Sequence, residues 1–433
     1  MNIYQIYELF RRNPTITTDS RKCLTGSMFF ALKGDTFDGN VFAADALNGG
    51  CACAVIDDAR LAGTFPNGDA RIILVDDALE TLQQLAALHR RSLNPKVIAV
   101  TGTNGKTTTK ELIAAVLSKK FNVLYTQGNL NNHIGVPLTL LQLTDKHDMA
   151  VIEMGANHPG EIRALANIAQ PDYGIITNVG RAHLEGFGSF EGVINAKCEL
   201  YDYLRNASGT VFIDRDNAYL MPKASQISTV MYGETSDGDA KPFVEGKTTS
   251  LAPYLNFRWN SLYDVKTNLI GDYNLKNALA AIATGLYFNV APEEINRAIA
   301  EYEPRNNRSQ LKETAYNHLI IDAYNANPTS MIAALDNFGS MDVSPKALIM
   351  GDMLELGDKS PELHREIVEA IKSKGFSEAL FCGKMFSGAA KNFKCFDSVE
   401  SLNDYLEANP LRGYYILIKG SRGIRLEKTV EKL

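Results

Sequence analysis

The run Val97-Ile98-Ala99-Val100-Thr101 is apolar and β-branched, and it breaks into Gly102-Thr103-Asn104-Gly105-Lys106-Thr107-Thr108 before a polar helical start. Glycines let successive backbone N–H groups converge on an anion with no Cβ in the way, and a helix opening there adds its positive end. Lys106 brings a mobile positive charge, and the Thr107 hydroxyl can ligand magnesium. This is the chemistry of a loop that cradles a nucleoside triphosphate. It is a shortened form: a glycine belongs five positions before Gly105, where this chain has Val100, and the nearest preceding glycine is Gly102.

Two further segments point at the same place. Ala150-Val151-Ile152-Glu153-Met154-Gly155 reads as a strand ending in a carboxylate, and Gly174 to Asn178 reads as a strand running on through Val179-Gly180-Arg181-Ala182 to His183. In a parallel sheet both groups emerge at the edge that carries the phosphate loop, where Glu153 and His183 can hold magnesium beside a triphosphate.

The elements that must position these groups fall into three α/β units. From Met28 to Val75 the chain reads as short strands around turns, followed by a helix from Asp77 to Arg91; Pro95 then marks a boundary. Apolar runs alternate with helical stretches beyond it, the pattern of a parallel sheet with right-handed crossovers. A more irregular region from 206 to 265 leads into a helix from Asn274 to Tyr287. After Pro304-Arg305-Asn306-Asn307-Arg308 the alternation resumes, with strands expected at Leu319 to Asp322, Ala347 to Met350, Ala379 to Phe381 and Tyr414 to Ile418. The expected domains are therefore 1–95, 96–306 and 307–433.

At 433 residues with a formal net charge of -6 and no basic block, a nucleic-acid partner is not expected. No apolar stretch approaches bilayer-spanning length and the N-terminus has no export signal, so neither membrane insertion nor secretion is expected. The cysteines at 23, 51, 53, 198, 382 and 395 include no C-x-x-C, which reads as reduced thiols in a cytoplasm. Cys51 and Cys53 read as small residues entering a strand rather than a metal pair.

The phosphate loop, Thr126-Gln127-Gly128-Asn129-Leu130-Asn131-Asn132-His133, Glu153-Met154-Gly155-Ala156, Asn178 to His183 and Gly271-Asp272-Tyr273-Asn274-Leu275-Lys276-Asn277 together resemble the Mur ligases, in order and spacing across nearly the whole chain. Asp322-Ala323-Tyr324-Asn325-Ala326-Asn327-Pro328 and Gly351-Asp352-Met353-Leu354-Glu355-Leu356-Gly357, followed by His364, resemble the members that add D-alanyl-D-alanine to a UDP-muramoyl tripeptide. An Asp-Asn-Pro-Arg motif, which the diamino-acid-adding member carries, is absent.

The resemblance implies a small N-terminal α/β domain for the UDP end of the acceptor, a central parallel-sheet ATPase and a C-terminal Rossmann-like domain that closes on both. It implies ATP and magnesium, two ions rather than one, and a peptidoglycan precursor as product. Carried over residue by residue, Asp19, Ser20, Arg21, Lys33 and Gly34 would meet the uridine nucleotide, and Asn129, Asn131 and Asn132 the muramoyl peptide. Gly102 to Thr108 would hold phosphates, Asn274 and Asn277 adenine, and Arg308 and Asp322 phosphates and ribose from the C-terminal side; Tyr324, Asn325 and Asn327 would bind substrate. Thr107, Glu153, His183 and Lys197 would serve the metals, Lys197 as a carbamate, although periodicity alone makes Lys197 an exposed helix residue. Tyr273 stands where the family usually has histidine. A monomer is expected. The rivals are a Mur-type ligase adding a single amino acid, a ligase of the folylpolyglutamate type, against which the first 95 residues argue, and a nucleotide-gated binding module.

Overall fold

The computed structural model describes residues 1–66, 69–235, 241–251, 253–304 and 308–433, so the expected boundary at 306/307 lies outside the described residues. Among the described residues the strands form three sheets. The first pairs β1 (Ile16–Thr17), β2 (Met28–Phe30), β3 (Cys53–Ile56) and β4 (Ile72–Leu74) in chain order, all parallel.

The helix Ala78–Leu93 follows, capped by the Asp77 carboxylate on the Glu80 N–H and closed by Asn94 in the left-handed region. It ties the first unit to the second. The buried Arg90 guanidinium donates to the Ala169 and Gln170 carbonyls and to Asp172 at 2.9 Å, and His89 reaches the Leu143 carbonyl. An amphipathic helix Ile3–Arg12, unanticipated from the sequence, buries Ile6 and Phe10.

The second sheet has nine strands: β5 (Lys96–Thr101), β6 (Val123–Tyr125), β7 (Met149–Glu153), β8 (Tyr173–Ile176), β9 (Thr210–Asp214), β10 (Ser228–Glu234), β11 (Val244–Ser250), β12 (Asn256–Trp259) and β13 (Tyr263–Lys266). Their spatial order is β13-β12-β11-β10-β9-β8-β5-β7-β6. Val97, Ala99, Ala150 and Ile152 face one core while Ile98, Val100, Val151 and Ile175 face the other, as a parallel sheet covered on both faces requires. The expectation of parallel pairing fails at one edge, where β11–β12 and β12–β13 are antiparallel hairpin partners.

Register brings the chemistry together. Val100 stands beside both Glu153 of β7 and Ile175 of β8, so the loop after β5, the Glu153 carboxylate and the segment after β8 share one sheet edge.

The third sheet runs β14 (Gln310–Glu313), β15 (His318–Asp322), β19 (Tyr415–Lys419), β16 (Lys346–Gly351), β17 (Ala379–Cys382) and β18 (Lys394–Phe396). Only β14 is antiparallel to its neighbour. The carboxyl ends of β15 and β19, carrying Asp322 and Lys419, turn toward the phosphate loop.

Candidate active site between the central and C-terminal domains

Two glycines shape the phosphate loop. Gly102 has φ +140°, and a Cβ there would lie 2.1 Å from Thr177 Oγ1; Gly105 has φ +78°, and its Cβ would lie 2.6 Å from Asn277 Oδ1. Any side chain would strain the backbone and strike a neighbour. The loop is pinned from behind by Asn178, which accepts the Asn104 N–H at 3.0 Å and donates to the Asn104 carbonyl, and by the Thr103 hydroxyl, which accepts the Gly180 N–H. Helix Lys106–Leu117 starts directly after Gly105.

The loop opens onto a cavity of about 600 Å³ lined from the central and C-terminal units. Of the residues expected at the site, Thr103, Asn104, Gly105, Lys106, Thr108, Asn129, Asn131, Asn132, Glu153, His183, Asn274, Asn277, Arg308, Asp322, Tyr324 and Asn325 line it. Gly102, Thr107, Lys197 and Asn327 are not among its lining residues. Thr107 and Asn327 touch lining residues directly. Asp19, Ser20, Arg21, Lys33 and Gly34 do not line the cavity. There the Arg21 guanidinium makes a bidentate pair with Asp19, and Lys33 pairs with Asp57 at 2.8 Å.

Lys106 Nζ donates to the Gly102 and Thr103 carbonyls at 2.8 and 3.0 Å. Burial, with Arg308 nearby, outweighs the attraction of Glu153 and pulls its amine down to about 8. Glu153 is 1 % exposed; one carboxylate oxygen accepts from Thr107 Oγ1 at 2.9 Å and the other from Asn131 Nδ2 at 2.8 Å. A hydroxyl and a carboxylate in contact at the mouth of a phosphate loop are hard oxygen donors, so the residues fit magnesium.

His183, in the left-handed region at φ 50°, turns Nδ1 to Glu355 of the C-terminal unit, and that contact holds the Glu355 carboxyl below the usual carboxylate range.

Lys197 is buried at 2 % exposure, correcting the reading of an exposed helix position: its side chain crosses the Phe187 ring and Nζ donates to the Ala156 carbonyl at 3.2 Å. Burial first, then the neighbouring Lys106 charge, pushes its amine down to about 7. Among the described residues no group of three His, Cys, Asp or Glu side chains is placed to hold a metal.

Asn277 accepts from Thr109 Oγ1 and donates to Asn274 Oδ1, so these two asparagines form one polar spot against the loop. Tyr273 hydrogen-bonds Ser309 at 2.7 Å across the unit boundary. Arg308 stacks its guanidinium 3.7 Å over the Tyr324 ring and leaves Nε without a partner, while Asp322 pairs with the buried Lys419 at 2.5 Å. Arg181 and Glu366 make a bidentate ion pair between the same two units. Sequence reasoning missed Lys419, Arg181 and Glu366. Only Lys419 carried a readable signal, a cation closing an apolar strand.

A phosphate loop on a nine-stranded sheet, with an α/β unit on either side and one of them completing the cavity, defines a multidomain architecture of the nucleotide-binding class. Family models cover the three parts: "Mur ligase family, catalytic domain" over 15–90, "Mur ligase middle domain" over 100–285, and "Mur ligase, glutamate ligase domain" over 307–422. The chain belongs to the Mur ligase family. It is 36% identical over 429 residues to the UDP-N-acetylmuramoyl-tripeptide--D-alanyl-D-alanine ligase of Bacillus subtilis, covering 96% of this chain and 92% of that one. Among solved structures, MurF from Acinetobacter baumannii superposes with a TM-score of 0.86 at 31% identity, covering 98% of this chain and 97% of that one. The MurF ligase from Thermotoga maritima in complex with ADP gives 0.85 at 26%, with the same shares covered.

Proposed function

We propose that the protein joins D-alanyl-D-alanine to a UDP-N-acetylmuramoyl tripeptide, with ATP cleaved to ADP and phosphate, yielding the pentapeptide precursor of peptidoglycan. The observation that carries this reading is the cavity in which the phosphate loop, Glu153 with Asn131, and the Asp322–Asn325 segment meet, in a chain whose relatives over nearly full length bear that activity in their names. ATP transfers its γ-phosphoryl group to the terminal carboxylate of the tripeptide, and the donor's amine then attacks the acyl phosphate and expels phosphate.

The first step brings two anions together, so this chain's residues mainly position and neutralise charge. Lys106 exchanges its two loop carbonyls for phosphate oxygens. Thr107 and Glu153 hold magnesium, which when bound neutralises the triphosphate. Asn274 and Asn277 meet the adenine; Arg308, with its unpartnered Nε, and Asp322 approach from the C-terminal side. Asn129, Asn131 and Asn132 take the muramoyl peptide, and Tyr324, Asn325 and Asn327 the donor side. Asp19, Ser20, Arg21, Lys33 and Gly34 take the uridine nucleotide, which requires Arg21 to leave Asp19.

As a carbamate, Lys197 would with His183 hold a second ion. A buried amine lowered to about 7 is available as the free base that carbon dioxide needs. The domain limits are 1–95, 96–306 and 307–433. The protein acts as a monomer, and cysteines that are all free thiols suit a cytoplasmic reaction. No helix among the described residues is long and apolar enough to cross a membrane.

Incubation with ATP, magnesium, UDP-muramoyl tripeptide and D-alanyl-D-alanine tests the reading. The expected product carries the mass of the joined dipeptide, and recovery of unchanged tripeptide overturns it.

A further inference from the structure

Lys110 lies one turn beyond Lys106 on the phosphate-loop helix and is wholly buried at 0 % exposure. Its ammonium donates to the Thr126 carbonyl at 2.7 Å and to Glu111 at 3.4 Å, stands 4.0 Å from Glu153 Oε2, and lies 5.5 Å over the Tyr125 ring. Thr126 closes the ring of contacts, because its hydroxyl accepts the Glu153 N–H at 3.0 Å. The other Glu153 oxygen accepts from Asn131, five residues along the loop that Thr126 begins. One buried cation thus touches the end of β6 and the end of β7 together.

Burying an ammonium is costly, and an apolar chain of the same length would fill the volume without that cost. What only the charge supplies is a simultaneous hold on a carbonyl and a carboxylate from two strands.

We infer that Lys110 is a positioning residue that couples the nucleotide half of the site, through Glu153, to the acceptor loop Thr126–Asn132. The identity of the acceptor rests on the proposed function. Without this ammonium the Glu153 carboxylate keeps only its hydrogen bonds to Thr107 and Asn131 and loses its neighbouring positive charge, while Thr126 loses the bond to its carbonyl, so both halves of the site are held less firmly.

The test reads binding, not turnover. Affinity for an ATP analogue is measured in EDTA and in magnesium, and affinity for UDP-muramoyl tripeptide is measured with no nucleotide present. Lys110→Met is expected to leave the EDTA affinity within about twofold of the parent. It should also reduce the magnesium-dependent gain about tenfold and weaken acceptor binding about tenfold, the scale on which groups orienting a metal ligand act. Lys110→Arg, which keeps the charge, should recover most of the magnesium gain and of the acceptor affinity, and Lys110→Gln, which carries no charge, replaces Lys110→Met in every comparison with the parent should that variant not fold.

Two results overturn the coupling: magnesium gain and acceptor affinity both within twofold of the parent, or an equal loss in EDTA and in magnesium, which marks a merely structural role. Failure of the parent to bind the tripeptide contradicts the proposed substrate instead, and the magnesium comparison then judges Lys110 alone.

Discussion

Asn327 Nδ2 donates to Asn104 Oδ1 at 2.8 Å, joining the N-cap of a C-terminal helix to the second residue beyond the first loop glycine. The same Asn327 side chain caps the helix Pro328–Ser340 by accepting the Ser330 N–H at 2.9 Å. One amide therefore caps its own helix with its oxygen, which also accepts weakly from Asn104 Nδ2 at 3.5 Å, and makes its shorter long-range bond with its nitrogen. Thr329 extends the junction, accepting the Arg181 N–H at 3.3 Å. Closure of the third unit over the phosphate loop is thus written into the start of one helix.

The two tasks of Asn327 separate by substitution. Asp keeps an oxygen for Ser330 but has no donor for Asn104, whereas Ala loses both. Asn327→Ala is expected to lower stability by about 1 kcal/mol, the usual worth of an N-cap. Asn327→Asp should keep the parent's thermal midpoint, yet raise KM for ATP several-fold by placing a second anion near the phosphates. Equal midpoints for the two variants would remove the capping role.

Lys106→Ala is expected to lower ADP release by at least about a hundredfold, the scale of removing one charge-stabilising donor. Folding should persist, since the lysine holds only two loop carbonyls. Undiminished release in steady-state assays would remove the phosphate-loop assignment.

Lys197 sets a pH dependence of stability. Its folded value of about 7 lies below the ordinary 10.5, so between those values the unfolded chain binds a proton that the folded chain does not. Stability of the parent in buffer free of carbon dioxide should therefore rise with pH from about 7 to 10.5, and the slope should flatten in Lys197→Met. Denaturant titrations at several pH values check this, and identical slopes would contradict it. Separately, Lys197→Ala should lose activity that a short-chain carboxylate partly restores. Intact mass in bicarbonate should show added carbon dioxide on the parent alone.

Arg181 and Glu366 are each partly exposed, with side chains 44% and 39% accessible, so their bidentate pair is worth at most about 1 kcal/mol. Either single substitution to alanine should lower kcat/KM only a few-fold. A double-mutant cycle should show coupling that fades in high salt. Strict additivity would mean the pair forms no part of the working closed state.

Much of this architecture was legible because local patterns carried it. The helix Asn274–Tyr287 matches its expected bounds, and the strands expected after Pro95 fall within about two residues of theirs, since strands buried on both faces read as unbroken apolar runs, whereas β6, β10, β11, β13, β14 and β18 have no counterpart in the expectation. The antiparallel edge β11–β13 was not legible: β11 buries its first three residues and leaves the polar remainder largely outside, β12 and β13 are only four residues long, and pairing direction is a tertiary fact. The helix Ile3–Arg12 carries its local signal in the capping box of Asn2 and Gln5. Lys197 was expected on an exposed helix face and is buried, and Lys110 drew no expectation at all. A lysine on a helix reads as solvated, and only packing from β6, β7 or Phe187 reveals that it is buried. Glu355 and Glu366 meet His183 and Arg181 across more than 170 residues, a separation no local pattern encodes.

The most direct test of the account is ADP release measured with UDP-muramoyl tripeptide and a panel of amine donors: D-alanyl-D-alanine, D-alanine, L-lysine, diaminopimelate and glutamate. Release is expected with the dipeptide alone, matched one for one by pentapeptide. Release with a single amino acid in place of the dipeptide would contradict it.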